Sequence, residues 1–79
     1  MKVFHILLTS IDDVKRFNSA ACEEPYDIDL LTGRYIIDAK SIMGIFSLDL
    51  AKPLRVDVHG TEEQAAAFYK KVGEFVAEH

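Results

Sequence analysis

The chain has 79 residues, with 13 acidic and 9 basic side chains, a formal net charge of −4 and one cysteine. Domains usually reach about 100 residues, so we expect residues 1–79 to form a single domain. A chain this short buries only about 60% of the surface that its unfolded form exposes, which leaves little room for an enclosed active site. Its negative charge also disfavours DNA and RNA, because nucleic-acid binders carry a basic face.

The cysteine count and the hydropathy predict where the protein resides. Cys22 has no second cysteine to pair with, which fits a reducing compartment. Because no basic neighbour is evident, we expect Cys22 to be a small buried apolar residue near a helix end. The apolar run Val3 to Leu8 contains His5 and is far shorter than the roughly 20 residues of a membrane span. We therefore predict a cytoplasmic protein that is neither secreted nor membrane-anchored.

A strand and an amphipathic helix are predicted at the start of the chain. Residues 3–8 are rich in the β-branched and aromatic side chains that are typical of strands. Thr9 or Ser10 then offers a side-chain oxygen to the free amides of a helix start. Apolar residues follow at spacings of three and four, and so share one helix face: Ile11, Val14, Phe17, Ala20 and Ala21. The helix should end near Cys22, ahead of Pro25.

A hairpin and a short helical segment are predicted in the middle of the chain. Residues 26–31 alternate polar and apolar side chains, Thr32-Gly33 supplies a tight turn, and residues 34–38 return as a second strand. Ser41 then opens an apolar segment, residues 42–48, that is too brief to be buried completely as a helix.

Another strand and a final helix follow. Residues 54–59 alternate again, and Gly60 separates them from Thr61 and Gln64, whose three-residue spacing matches a capping box. The last helix has this predicted apolar stripe: Ala65, Phe68, Tyr69, Val72, Phe75 and Val76.

The predicted element order is therefore β-α-β-β-α-β-α. Strands with one polar face belong in an antiparallel sheet that helices cover on the other side. We predict an α+β open-faced β-sandwich, in which three helices cover one face of a four-stranded antiparallel sheet. Alternation points these residues inward: Phe4, Ile6, Leu8, Ile28, Leu30, Val56 and Val58. The outward residues are mostly charged: His5, Asp27, Asp29, Arg55, Asp57 and His59.

One segment of the chain resembles a known protein family. It reads Ala39-Lys40-Ser41-Ile42-Met43-Gly44-Ile45-Phe46-Ser47-Leu48, and Ala51-Lys52 follow it. This segment closely resembles the central segment of HPr, the small phosphocarrier of the bacterial sugar phosphotransferase system. Lys-Ser-Ile-Met-Gly is typical of the Gram-positive members, and the predicted element order is also that of the family. The resemblance covers roughly residue 26 to the C-terminus and implies an HPr-type fold.

The resemblance ends where HPr proteins carry their phosphorylated histidine. That histidine opens the first helix in a pattern of the form His-Ala-Arg-Pro-Ala, whereas this chain reads Thr9-Ser10-Ile11-Asp12-Asp13-Val14. Asp12 and Asp13 would themselves occupy the positive end of the helix dipole, which otherwise favours an incoming phosphate. The three histidines lie elsewhere, at positions 5, 59 and 79. We therefore expect a divergent member that lacks the phosphoacceptor histidine.

What does match is the regulatory serine of the Gram-positive proteins. The resemblance implies that an ATP-dependent HPr-type kinase phosphorylates Ser41, and that the kinase and a transcriptional regulator bind the apolar cluster Ile42, Met43 and Phe46. Phe46 is a departure, because methionine is usual at that position. Lys40 and the free amides of the helix start also suit this site to a phosphate.

Structural explanations compete with these roles. Ser41 is a favoured N-cap residue, and an apolar trio at helical spacing usually belongs to a core. However, Ile42, Met43, Ile45 and Phe46 cannot all point inward from a helix of two turns, so part of this apolar surface should stay exposed. Exposed apolar area in a small protein often marks a site for a partner.

The sequence thus predicts a regulatory binding module without enzymatic activity, catalytic residues or a cofactor. No metal site is expected, because His5, Asp57 and His59 offer fewer than the four ligands of a structural zinc site. The expected partners are an HPr-type kinase, a regulator or phosphotransferase components, and the protein should be a monomer or a weak homo-oligomer. Two alternatives remain open: a phosphocarrier that uses His5 or His59, and a protein-interaction module without phosphorylation that self-associates through the apolar cluster.

Overall fold

The computed structural model describes residues 2–77, and its elements follow the predicted order. The strands are β1 (Val3–Ile6), β2 (Asp27–Thr32), β3 (Tyr35–Asp38) and β4 (Leu54–His59), and the helices are α1 (Ile11–Cys22), α2 (Ile42–Phe46) and α3 (Glu62–Lys71). The strands form one antiparallel sheet in the order β1-β4-β2-β3. This confirms the predicted α+β open-faced β-sandwich. Within residues 2–77, no helix is long and apolar enough to cross a membrane.

The core lies between the sheet and the helices. The residues that alternation points inward are all buried: Phe4, Ile6, Leu8, Ile28, Leu30, Val56 and Val58. From the helices, Phe17 and Phe68 meet edge to face with ring centroids 5.9 Å apart, and Phe75 packs edge-on against Phe17. The outward side chains of the sheet are exposed or half-buried, which confirms the predicted assignment of faces.

Two helices begin at the residues that the sequence predicts. At α1, the N-cap is Ser10, whose Oγ accepts a hydrogen bond from the Asp13 amide at 3.0 Å. At α3, Thr61 Oγ1 accepts from the Gln64 amide at 3.1 Å, and Gln64 Oε1 accepts from the Thr61 amide at 2.9 Å. The two reciprocal bonds form the predicted capping box and satisfy two backbone donors at the start of α3.

Two predictions about helix ends are wrong. Cys22 is exposed rather than buried, because Ala21 takes the buried position at the end of α1. The last helix ends at Lys71, since Val72 leaves the helical backbone region and Gly73 has a low helix propensity. The chain continues through a 3₁₀ turn over Gly73–Phe75, which buries the Phe75 ring without an α-helix.

The two edges of the sheet differ. Beside β1, the C-terminal segment covers the edge: the Leu7 amide donates to the Phe75 carbonyl, and the Ala77 amide donates to the His5 carbonyl, both at 2.8 Å. At the opposite edge, no strand in the described part of the chain lies on the outer side of β3. One edge is therefore closed by the chain itself, and the other is open.

Candidate functional site

Ser41 is the N-cap of α2 and lies at the protein surface. Its Oγ accepts a hydrogen bond from the Gly44 amide at 3.2 Å, which confirms the predicted capping role. The first turn consists of Ile42, Met43 and Gly44 and so contributes no acidic side chain. Because the first amides of any helix lack partners within it, the Ser41 hydroxyl stands beside backbone donors without a carboxylate from this turn.

Lys40 contacts the segment that follows α1. Its Nζ donates to the Glu24 carbonyl at 2.8 Å, and its amide donates to Asp38 Oδ1 at 2.9 Å. These two bonds fix the backbone immediately before Ser41. The Glu24 carbonyl thus uses one of the three N–H donors of Lys40 Nζ.

The apolar residues of α2 divide between core and solvent. Ile45 is fully buried, and Ile42 packs half-buried against the core. Met43 and Phe46 point outward, with 77% and 40% of their surfaces exposed. This division confirms that the apolar side chains of α2 cannot all be buried at once. A role for Ile42, Met43 and Phe46 in partner binding remains a prediction.

Gly44 determines how closely α2 approaches the sheet. A Cβ atom on Gly44 would lie 2.6 Å from Cγ2 of Ile37 in β3, far closer than carbon atoms pack. The absence of a side chain therefore lets the backbone of α2 rest on Ile37. In the sequence, the only signal of this contact is a glycine inside a short helix.

The start of α1 is occupied by its own carboxylates. Asp13 accepts hydrogen bonds from the Thr9 amide and hydroxyl, both at 3.0 Å, and these bonds hold the pKa of Asp13 below its ordinary value. Arg16 pairs with Asp12 and Asp13 at 2.8 and 2.9 Å, and also with Glu74. The predicted placement of both aspartates in the first turn is confirmed. Both carboxylates of the first turn of α1 are therefore engaged in contacts within the chain.

Two histidines lie on the open face of the sheet, away from helix starts. His59 Nε2 is 2.9 Å from Asp29 Oδ2, and His5 in β1 is the direct cross-strand neighbour of Arg55. Across residues 2–77, no group of three or more histidine, cysteine or acidic side chains is placed to hold a metal ion. His79 lies outside the described residues.

Comparison with known proteins adds evidence on the fold. No family model matches the chain, and no curated protein matches it. The solved structure of HPr-C-His from Thermoanaerobacter tengcongensis superposes with a TM-score of 0.75 and 24% identity, over 94% of this chain and 92% of that one. The histidine-containing phosphocarrier protein of Mycoplasma superposes with a TM-score of 0.72 and 14% identity, over 96% of this chain and 99% of that one. These similarities show that the chain has the HPr-type fold.

Proposed function

We propose that this protein is a regulatory member of the phosphotransferase-related HPr group, switched by phosphorylation at Ser41, and that it does not act as a histidine phosphocarrier. The observation that carries the proposal is the contrast between two serine-capped helix starts. At α1, the first turn contains the two carboxylates of Asp12 and Asp13, whereas the first turn of α2 contains none.

The proposed reaction is a transfer from ATP. The γ-phosphoryl group forms a bond to Ser41 Oγ, its bond to the β-phosphate oxygen breaks, ADP leaves, and the serine hydroxyl proton passes to a base of the kinase. A phosphoserine carries about −1.5 to −2 charges at pH 7 and three strong acceptor oxygens. At an N-cap these oxygens face the free amides of the helix start, where negative charge is favourable. Exposure of Ser41 supports access by a kinase.

Phosphorylation would create a composite surface for a protein partner. The phosphate would cap the same short helix that carries the exposed side chains of Met43 and Phe46, so that one element would present both charge and apolar area. An arginine of the partner can bind a phosphate through two parallel hydrogen bonds, while the apolar side chains supply contact area. Met43 suits such a surface, because its unbranched thioether side chain adapts to different partners.

Phosphorylation by an HPr-type kinase and ATP, mapped by peptide mass analysis, tests this proposal. We expect one phosphate, on Ser41, that disappears in Ser41→Ala. Ser10→Ala is the matched control, since Ser10 is also an exposed N-cap serine, and it should accept phosphate as the parent does. Absence of phosphate from Ser41 with a kinase that modifies its own substrate would contradict the proposal.

A second assay separates the switch from a carrier. Phosphoenolpyruvate and the first enzyme of the phosphotransferase system should leave the protein unmodified, because no histidine in the described residues lies at a helix start. An acid-labile phosphohistidine at His5 or His59 would instead favour the carrier alternative.

A further inference from the structure

Within residues 2–77, no strand or backbone hydrogen bond engages the outward backbone groups of Ile36 at the outer edge of β3. The Ala39 amide donates to the Ile28 carbonyl in β2 at 2.8 Å. Because backbone groups alternate in direction along an antiparallel strand, the amide and carbonyl of Ile37 point to β2 and those of Ile36 point away from it. The Asp38 carbonyl accepts from the Ser41 amide at 2.9 Å, so Ile36 is the middle of the free edge.

The side chains at this edge are apolar and exposed on both faces of the sheet. Tyr35 and Ile36 each have 66% of their surface exposed, and consecutive strand residues point to opposite faces. Natural edge strands are usually protected by charges, prolines or a covering segment. The C-terminal segment protects β1 in this way, whereas at β3 the charged residues are only Arg34, just before the strand, and Asp38, at its end.

We propose that β3 is a self-association edge, where a second copy of this chain pairs its own β3 in antiparallel register about Ile36. In this register the two Ile36 residues exchange their free amides and carbonyls. Tyr35 faces Ile37 of the second copy, and Arg34 faces Asp38 of the second copy. Apolar residues thus meet apolar residues, and opposite charges meet at both ends.

The sequence of the edge favours a second copy over an unrelated chain. A two-fold contact requires that each residue and its counterpart suit each other in both directions, and Arg34-Tyr35-Ile36-Ile37-Asp38 meets this condition about its centre. A register centred on Ile37 fails, because it would place Asp38 opposite Ile36 and would use backbone groups already bonded to β2.

Pairing would also extend an apolar row on the open face of the sheet. Leu31 is the direct cross-strand neighbour of Ile36 within one copy. The dimer therefore aligns Leu31, Ile36 and the same two residues of the second copy across the joined sheets. Since each β3 has only four residues, the interface is small and the association should be weak.

Sedimentation over a concentration series tests the proposal. We expect the parent protein to be monomeric at low concentration and to dimerise at concentrations on the order of 0.1 to 1 mM. Ile36→Lys should abolish the dimer, because a charge on an edge strand opposes pairing. Ile11→Lys is the matched control, since Ile11 is 65% exposed on α1, and it should dimerise as the parent does.

Two further measurements check the register. Arg34→Gln should weaken dimerisation. Arg34→Glu should weaken it further, with a dimer dissociation constant roughly threefold to tenfold above that of the parent, because it places like charges opposite each other. Hydrogen exchange should slow at the Ile36 amide as concentration rises, with no change at the Ile37 amide, which β2 already protects in the monomer.

Several results would overturn the proposal. One is a parent protein that stays monomeric up to about 1 mM. The others are a dimer that Ile36→Lys leaves intact and an equal loss of dimerisation in Ile36→Lys and Ile11→Lys. A dimer lost in Phe46→Asp but kept in Ile36→Lys would also overturn it and would move the contact to α2. Phosphorylation of Ser41 is measured independently of these results, so either proposal can fail alone.

Discussion

Replacement of Gly44 by alanine tests how α2 is held on the sheet. In an ordinary helix interior, alanine is more favourable than glycine by roughly 0.8–1.0 kcal/mol, so the substitution would stabilise the protein. Here the new Cβ would lie 2.6 Å from Ile37 Cγ2 and 3.1 Å from Ser41 Oγ. Ile37 cannot easily move, because a β-branched side chain is stiff and this one is half-buried in β3.

The two effects can be compared. Extra volume in a well-packed region typically costs about 1–3 kcal/mol, which exceeds the gain in helix propensity. We therefore expect Gly44→Ala to lower the free energy of unfolding by roughly 1 kcal/mol, and by at most about 2. For a domain of this size, a loss of 1 kcal/mol lowers the Tm by about 4–8 °C. The sign of the change is thus opposite to that expected from propensity alone.

Urea unfolding of a double-mutant cycle isolates the contact. Ile37→Ala removes the Cγ2 atom, so Gly44→Ala should become neutral or stabilising in that background, by up to about 1 kcal/mol. The coupling between the two positions should then be roughly 1–3 kcal/mol. Stabilisation by Gly44→Ala in the parent background, or additive effects in the cycle, would refute a close contact between α2 and β3.

Three other predictions concern caps and titrating groups. Thr61→Ala removes the capping box of α3 and should lower the free energy of unfolding by about 1 kcal/mol, seen as a lower urea midpoint; an unchanged midpoint would contradict the cap. Hydrogen bonds from Thr9 lower the pKa of Asp13, so ionised Asp13 stabilises the folded protein. This contribution is complete above the ordinary carboxyl pKa and disappears as pH falls through the lowered pKa. The Tm of Asp13→Asn should therefore fall less in acid than the Tm of the parent protein. An equal fall in both proteins would exclude this stabilising role of Asp13. Burial raises the pKa of Tyr26 to about 12, so stability present below the ordinary value of 10.0 should be lost as pH rises toward 12, and less so in Tyr26→Phe.

The fold was predictable because its main signals are local. Alternation in residues 54–59 assigns both faces of β4, and Thr61 with Gln64 marks the start of α3 within one turn. The end of α3 was not predictable in the same way. Phe75 continues the apolar spacing of the helix, but its burial comes from a 3₁₀ turn over Gly73–Phe75 and not from the helix.

Parts of the candidate site follow from the sequence, and others depend on distant neighbours. The exposure of Met43 and Phe46 follows from the number of apolar residues in a short helix, which exceeds what one face can bury. The bond from Lys40 to the Glu24 carbonyl joins residues 16 positions apart, and packing alone brings them together. The exposure of Cys22 has the same origin, because which side of the last turn of α1 faces the core depends on the other elements.

The location of acidic residues matters more for the proposed function than the net charge does. Ser10 and Ser41 are both exposed serines, and each caps its helix by accepting a hydrogen bond from the amide three residues further on. At Ser10, Asp13 is held by Thr9 and Arg16, and Arg16 is shared among three carboxylates, so a phosphate there would compete for a cation already in use. At Ser41 the first turn offers amides alone. Under the proposed function, the absence of a carrier site at α1 and the presence of a switch at α2 would thus share one physical basis, the uneven placement of carboxylates between two helix starts.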